Sequence, residues 1–168
     1  MRMSLGRKPG FVPMPNSTVD DAASLDFMAM ALLLIFLRHQ DGWDMTLARI
    51  GRKYGYAEDA MAGAMGALQV ARYVIKIRKM LVKGTKRPNE WVTEIIAYDT
   101  PATDEEVAAA LALMRRDPNV RTVQVIPPTQ TAIARAAKRT AKLATLATKT
   151  PKATLDPIPR LGGFPGLG

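Results

Sequence analysis

The sequence contains no cysteine and only one histidine, His39, and both shortages restrict the chemistry that the chain can perform. Without cysteine, it can form neither a disulfide framework nor a thiolate metal site. With a single histidine, a histidine-based catalytic triad or a multi-histidine metal site is hard to build. Paired acids such as Asp20-Asp21 and Glu105-Glu106 lack a histidine partner, and adjacent carboxylates point apart on a helix or strand. We therefore expect no enzymatic activity, no metal and no cofactor.

Long apolar runs are also missing. Eleven apolar residues follow one another from Phe27 to Leu37, whereas a membrane-spanning helix needs about 20. This stretch predicts a core helix from Ser24 to Arg38, with Ser24 as its N-cap and Asp26 complementing the helix dipole. Residues 1–10 are too polar for a secretory signal peptide and predict a flexible arm. We expect a cytoplasmic, nucleoid-associated protein with no membrane partner.

Acidic residues become scarce in the last third of the chain. The net charge of the 168 residues is +9, and residues 115–168 hold 10 basic but only 2 acidic side chains. Residues 1–114 are nearly balanced, with 14 basic and 13 acidic side chains. A basic extension of this kind favours a polyanion such as DNA or RNA as partner.

The basic extension has two parts. Residues 131–148 can form a helix on which Ile133, Ala137, Thr140 and Ala144 lie opposite a basic stripe, although a solvated segment is an equal alternative. The stripe comprises Arg135, Lys138, Arg139, Lys142 and Lys149. From Thr150 onward, the four prolines and four glycines predict a disordered tail.

The stretch from Met45 to Tyr98 organises the rest of the chain. Thr46 is a plausible N-cap for a short helix whose Leu47 and Ile50 face inward together, and Gly55 can end that helix in the left-handed conformation. A second helix follows, and its small apolar face predicts close helix packing. That face consists of Ala60, Ala64, Ala67, Leu68 and Ala71.

Two β-rich runs follow this predicted helix-turn-helix. They extend from Tyr73 to Lys83 and from Trp91 to Tyr98, and the turn-forming residues between them predict a hairpin. A hairpin directly after a helix-turn-helix is a wing. The alternative is a generic helical pair followed by a hairpin.

The order of these motifs, together with Val-Pro-x-Pro-Asn at 12–16, Asp-Gly-Trp at 41–43 and Tyr-Val at 73–74, resembles a known family. It is similar to actinobacterial winged helix-turn-helix proteins that look like the N-terminal domain of phage and plasmid replisome-organiser proteins. The resemblance covers about residues 10–98. It implies a DNA-binding winged helix without cofactor or catalysis.

The second helix departs from that pattern, because it begins with Glu58-Asp59 and no lysine or arginine occurs between Lys53 and Arg72. Acidic groups repel phosphates, so base reading by this helix is chemically poor. Basic residues surround it instead, and no acid occurs from Ala60 to Asn89. Together with Thr46 and with Arg135, Lys138, Arg139 and Lys142 of the basic stripe, the candidate DNA contacts are Arg49, Arg52, Lys53, Arg72, Lys76, Arg78, Lys79, Lys83, Lys86 and Arg87. The alternative is that strand lysines only keep a sheet edge soluble.

After the wing, Thr103 to Glu106 matches a capping box, followed by a helix over 107–116 and a short strand over 120–126. Whether this extension packs on the preceding unit stays open. The predicted organisation is an arm at 1–10, a winged helix at 11–98, a helix–strand extension at 99–128, and a basic Ala/Lys-rich segment with a Pro/Gly-rich tail at 129–168. The predicted fold class is therefore α+β, a winged helix-turn-helix with a small α/β extension and a basic, disordered C-terminal tail.

We expect binding to double-stranded DNA with modest sequence preference and strong salt dependence. Replication, plasmid or phage maintenance, transcription control and nucleoid organisation all fit this expectation. The alternative is a protein-interaction module that has lost base reading, with Met61, Met65, Gly63 and Gly66 as its docking surface. Self-association is a further possible partnership.

Overall fold

A computed structural model describes residues 14–20, 25–39, 46–82 and 89–149. The described part is α+β, as the sequence predicts. The helices are α1 (Asn16–Asp20), α2 (Phe27–Arg38), α3 (Leu47–Tyr54), α4 (Glu58–Val70), α5 (Asp104–Arg115) and α6 (Gln130–Lys149). The strands are β1 (Val74–Leu81), β2 (Trp91–Ala97) and β3 (Val120–Ile126). Within the ranges described, no helix has the length and apolar character needed to cross a membrane.

Local hydrogen bonds explain where the helices begin and end. The Thr46 hydroxyl accepts from the Arg49 amide at 3.2 Å, and Gly55 ends α3 with φ of 76°. The capping box of α5 forms between Thr103 and Glu106. The expected cap of α2 is wrong, because the Asp26 carboxylate accepts from the Ala29 amide at 2.7 Å and the helix begins only at Phe27. A carboxylate one residue before the first turn caps that turn and adds favourable charge at the positive helix end.

The main core lies between α2, α4 and one side of the sheet. Leu33 and Phe36 of α2 and Leu68 of α4 are fully buried, and Val74 and Ile95 close the core from the sheet. The predicted small face of α4 is confirmed at Ala64 and Leu68, which are buried. It is wrong at Ala60, which is exposed, because the buried side of the first turn is taken by Met61.

The three strands form one antiparallel sheet in the order β2-β1-β3. The predicted pairing of the two hairpin strands is confirmed, with Val74 opposite Ala97 and Met80 opposite Trp91. β3 pairs with the other edge of β1, and α5 packs on the side of the sheet that carries Ile77 and Val123. Residues 99–128 therefore pack on the preceding unit, which answers the question that the sequence left open.

Of the two alternatives for residues 131–148, the helix is the one that forms: residues 130–149 are α6, which packs on α4. The contact is close because α4 has no side chain at Gly66, where a Cβ atom would lie only 2.8 Å from the Cβ of Ala132. Ile133, which lies opposite the basic stripe, is 41% exposed, whereas Ala132 and Ala136 are half-buried. Shape complementarity to the glycine, rather than hydrophobicity, selects the packing face. Residues 150–168 lie outside the described residues.

The burial difference between two neighbouring leucines of α2 gives a test of the core. Leu33 is fully buried and Leu34 is 42% exposed. We expect Leu33→Asp to lower the free energy of unfolding by more than about 3 kcal/mol, because it buries an unpaired charge. Leu34→Asp should cost less than about 1 kcal/mol. Urea denaturation of both variants measures this difference, and equal losses would show that α2 is not packed as described.

The seat of α6 can be tested at the two glycines of α4. A Cβ at Gly63 would meet only Arg135 Nη1 at 3.5 Å, so Gly63→Ala should stabilise the chain by up to about 1 kcal/mol through helix propensity. Gly66→Ala should instead displace α6 and raise amide hydrogen exchange across 130–149. In a chain truncated after Pro128, Gly66→Ala should become stabilising like Gly63→Ala. If Gly66→Ala were equally stabilising in the full-length chain, α6 would not be seated on Gly66.

Candidate nucleic-acid interface

Helix α3 presents three of the predicted DNA-contacting cations on its outer side. Arg49, Arg52 and Lys53 are all exposed, while Ile50 and Gly51 behind them are buried. At 100° per residue, the three cations fall within an arc of about 100°. The helix is fixed at both ends by the caps at Thr46 and Gly55, so the charges are presented from a rigid element. We call Arg49, Arg52, Lys53 and Arg38 together the α3 patch.

Arg38 was missed by the sequence interpretation. It is the last residue of α2 and is exposed. The pKa of the neighbouring His39 is lowered, first by burial of the imidazole and then by the positive charges of Lys53 and Arg38. Arg38 of α2 and Lys53 of α3 therefore both act on the His39 imidazole. The C-terminal ends of the two helices thus share a region of positive potential. A basic residue at the predicted end of a helix was the only sequence signal for Arg38.

Helix α4 is exposed at Glu58, Asp59 and Ala60 in its first turn, and most of its remaining length is covered. Met61 and Met65 are 1% and 3% exposed and belong to the core. The opposite side of α4, with Gly63, Gly66 and Ala67, faces α6. The docking surface that the sequence suggested for a protein partner is therefore divided between the core and α6.

Helix α6 leaves a cleft of about 720 Å³ where it crosses α4 and the start of α2. Arg139 reaches across this cleft, with Nη1 at 3.4 Å from Asp26 Oδ2 and Nη2 donating to the Leu25 carbonyl at 3.3 Å. Asp59 of α4 and Arg135 of α6 line the same cleft. Asp59, an acid that disfavours phosphate, therefore lines the same cleft as Arg135 of the basic helix α6.

Several predicted phosphate contacts are engaged with carboxylates. Arg72 Nη2 lies 2.7 Å from Asp104 Oδ1, and Lys79 Nζ lies 2.7 Å from Glu94 Oε2 on the α5 side of the sheet. The Lys79 and Glu94 side chains are only 13% and 10% exposed, so this pair is buried between strands. Lys79, which was predicted to contact DNA, therefore lies in an internal ion pair. Arg72 links the end of the α4 region to the first residue of α5 through its ion pair with Asp104.

The other strand cations, Lys76 and Arg78, lie on the side of the sheet that carries Val74 and Ile95. Lys76 is half-buried and Arg78 is exposed. Lys76 lines a groove that also includes Thr46 and Leu47, so this part of the sheet adjoins the first turn of α3. The structure thus brings Lys76 close to Thr46 at the start of α3.

The remaining predicted contacts are separate from this region or outside the described residues. Lys138 and Lys142 are exposed on α6. Lys83, Lys86 and Arg87 of the hairpin connection lie outside the described residues, as does the side chain of Lys149. No family model, no curated protein and no solved structure matches the chain.

The lowered pKa of His39 provides a measurement of the positive potential. Lys53→Gln removes a positive charge that disfavours the imidazolium, so we expect the pKa of His39 to rise towards its ordinary value. Lys142→Gln, on α6, should leave this pKa unchanged. Because the chain has one histidine, NMR titration of its ring proton gives an unambiguous reading. If Lys53→Gln left the pKa of His39 unchanged, Lys53 would not contribute to the positive potential at this side chain.

Proposed function

We propose that the chain is a winged-helix DNA-binding protein that contacts the phosphates of duplex DNA through the α3 patch and the β1–β2 hairpin. The observation that carries this proposal is the α3 patch itself, four exposed cations from two helix ends. No acidic residue occurs in α3, and the charges of Lys53 and Arg38 add to the larger effect of burial in lowering the pKa of His39. Side chains of this kind bind phosphates without reading sequence.

The succession of α3, α4 and two antiparallel strands supports the winged-helix interpretation. In this interpretation, β1 and β2 are the strands of the wing, and Lys83, Lys86 and Arg87 belong to its connection. The exposed Arg78 and the half-buried Lys76 would extend the phosphate contacts from α3 towards the wing. Arg72, Lys79 and Arg139 contribute little to DNA binding in this proposal, because each is already paired with a carboxylate.

The position of α6 makes the binding mode unusual for a helix-turn-helix. Because α6 covers the outer side of α4, base edges would not be read by α4, and sequence preference would be modest. Exposed Lys138 and Lys142 then supply a second set of phosphate contacts, tethered to the first by the chain. Roles in replication, plasmid or phage maintenance, transcription control and nucleoid organisation all remain within this proposal, and none of them requires catalysis.

The central test compares two triple variants of equal charge. The first is Arg49→Gln with Arg52→Gln and Lys53→Gln. The second changes three exposed arginines of α5 and β3, namely Arg115→Gln, Arg116→Gln and Arg121→Gln. Binding to random duplex DNA is measured by fluorescence anisotropy over a range of salt concentrations. The α3 variant should lower the slope of log affinity against log salt by about 2 to 3, because about 0.9 counterions are released per phosphate contact.

The α5/β3 control should retain most of the wild-type slope, since its cations lie outside the proposed interface. In the wild type, addition of duplex DNA should also raise the pKa of His39, because phosphates stabilise the imidazolium. Equal losses of the salt slope in the two variants would mean that DNA binding depends on net charge and not on the α3 patch. Absence of salt-dependent binding by the wild type would overturn the proposed function.

A further inference from the structure

Trp91, the first residue of β2, is a large aromatic side chain that the core does not cover. Its side chain is 38% exposed. It lies on the same side of the sheet as Val74 and Ile95, which α2 and α4 bury. Among the described residues, this side of the sheet is buried at Val74, Ile95 and Ala97, whereas Trp91 at the other end of β2 is partly exposed.

Arg78 of β1 stacks on the Trp91 ring, with its guanidinium carbon 4.8 Å from the ring centroid. The guanidinium is also held from β3, because Nε and Nη2 both donate to Gln124 Oε1, at 2.9 and 2.7 Å. Each strand of the sheet therefore supplies one member of a connected cluster of Trp91, Arg78 and Gln124, which we call the Trp91 platform. Two hydrogen bonds and a cation–π contact restrict the rotamers of Arg78 before any ligand arrives.

A groove of about 410 Å³ runs beside Trp91 between β2 and the first turn of α3. Leu47, Met65 and Ile95 give it an apolar floor, and Thr46 and Thr93 supply hydroxyl groups. Glu58 and Glu90 also line it, together with Lys76. Carboxylates disfavour phosphates but accept hydrogen bonds from the amino groups of bases, so the groove suits bases better than a sugar–phosphate backbone.

We propose that the Trp91 platform and this groove bind unpaired nucleobases of a single-stranded nucleic acid. The proposal rests on the proposed function, because the α3 patch would hold the phosphates of the same strand. Aromatic rings and arginine planes stack on bases irrespective of sequence. A duplex cannot use the platform, since its bases are already stacked on one another. The chain would therefore contact duplex DNA through α3 and hold an opened strand on the sheet.

The test uses the full-length chain and a labelled oligonucleotide of about 12 nucleotides, as single-stranded DNA, as the same sequence in RNA and as the fully paired DNA duplex. Trp91→Thr keeps a strand-forming residue but removes the ring. Phe27→Leu is the control, because Phe27 is an aromatic residue that is 97% exposed on α2. Trp91→Thr should weaken binding of the single strand about tenfold or more and change duplex affinity less than twofold. The control should change neither affinity.

Arg78→Lys gives a second variant that keeps the charge but loses the planar stack. It should weaken single-strand binding more than duplex binding, and it keeps the proposal testable if Trp91→Thr does not fold. In a Trp43→Phe background, single-stranded DNA should quench the remaining tryptophan fluorescence. The strand that binds more tightly, RNA or DNA, shows which kind of single-stranded nucleic acid the platform prefers.

The possible results separate this proposal from the proposed function. If the wild type binds duplex DNA with a salt-dependent affinity but does not bind the single strands, the platform is overturned and the proposed function stands. The same conclusion follows if Trp91→Thr weakens single-strand and duplex binding equally, or weakens neither. If the wild type binds no nucleic acid, both proposals fail.

Discussion

The close approach of α6 to α4 at Gly66 determines which surfaces of the chain face solvent. One side of α4 supplies Met61, Met65 and Leu68 to the main core. On the other side, a Cβ at Gly66 would meet Ala132 at 2.8 Å, so only glycine allows α6 to lie where it does. Glycine weakens a helix relative to alanine, and here that cost is offset by helix packing. Among the described residues, α4 carries no cation, and the candidate contacts lie on α3, at the end of α2, on the sheet and on the outer side of α6.

The net charge of +9 overstates the number of cations that are ready to bind phosphate. Arg72, Lys79 and Arg139 each meet a carboxylate of the same chain. Arg78 is different, because its partners are an aromatic ring and a neutral amide, which leave its charge uncompensated. The α3 patch has no carboxylate within its own helix. Position and pairing, rather than the count of lysines and arginines, therefore define the candidate interface.

Features set by neighbours in sequence could be predicted from the sequence. The caps at Thr46 and Gly55 and the capping box at Thr103 depend on residues within one turn, and all three form. At the start of α2, Ser24 was expected to be the cap, but Asp26 is the residue that accepts the Ala29 amide. Serine and aspartate both cap helices well, so residue type alone does not decide between them.

Features that depend on distant residues could not be predicted in the same way. The inward face of α6 follows from a glycine on α4, so Ile133 is exposed despite being the most apolar residue of its predicted face. The Trp91 platform needs the register of three strands, with Met80 opposite Trp91 and Arg78 opposite Gln124. The sequence identified Arg78 as a cation but gave no sign of its stack on Trp91. Arg38 was missed because its relation to Lys53 arises only when α2 and α3 pack.

Hydrogen–deuterium exchange of the full-length chain, with and without duplex DNA, tests most directly whether DNA meets α3 while α6 stays on α4. The account predicts slower exchange across 46–55 when DNA is bound, with unchanged exchange across 62–70 and 130–143. Faster exchange in α6 together with slower exchange in α4 would contradict it, because DNA would then displace α6 and occupy the outer side of α4.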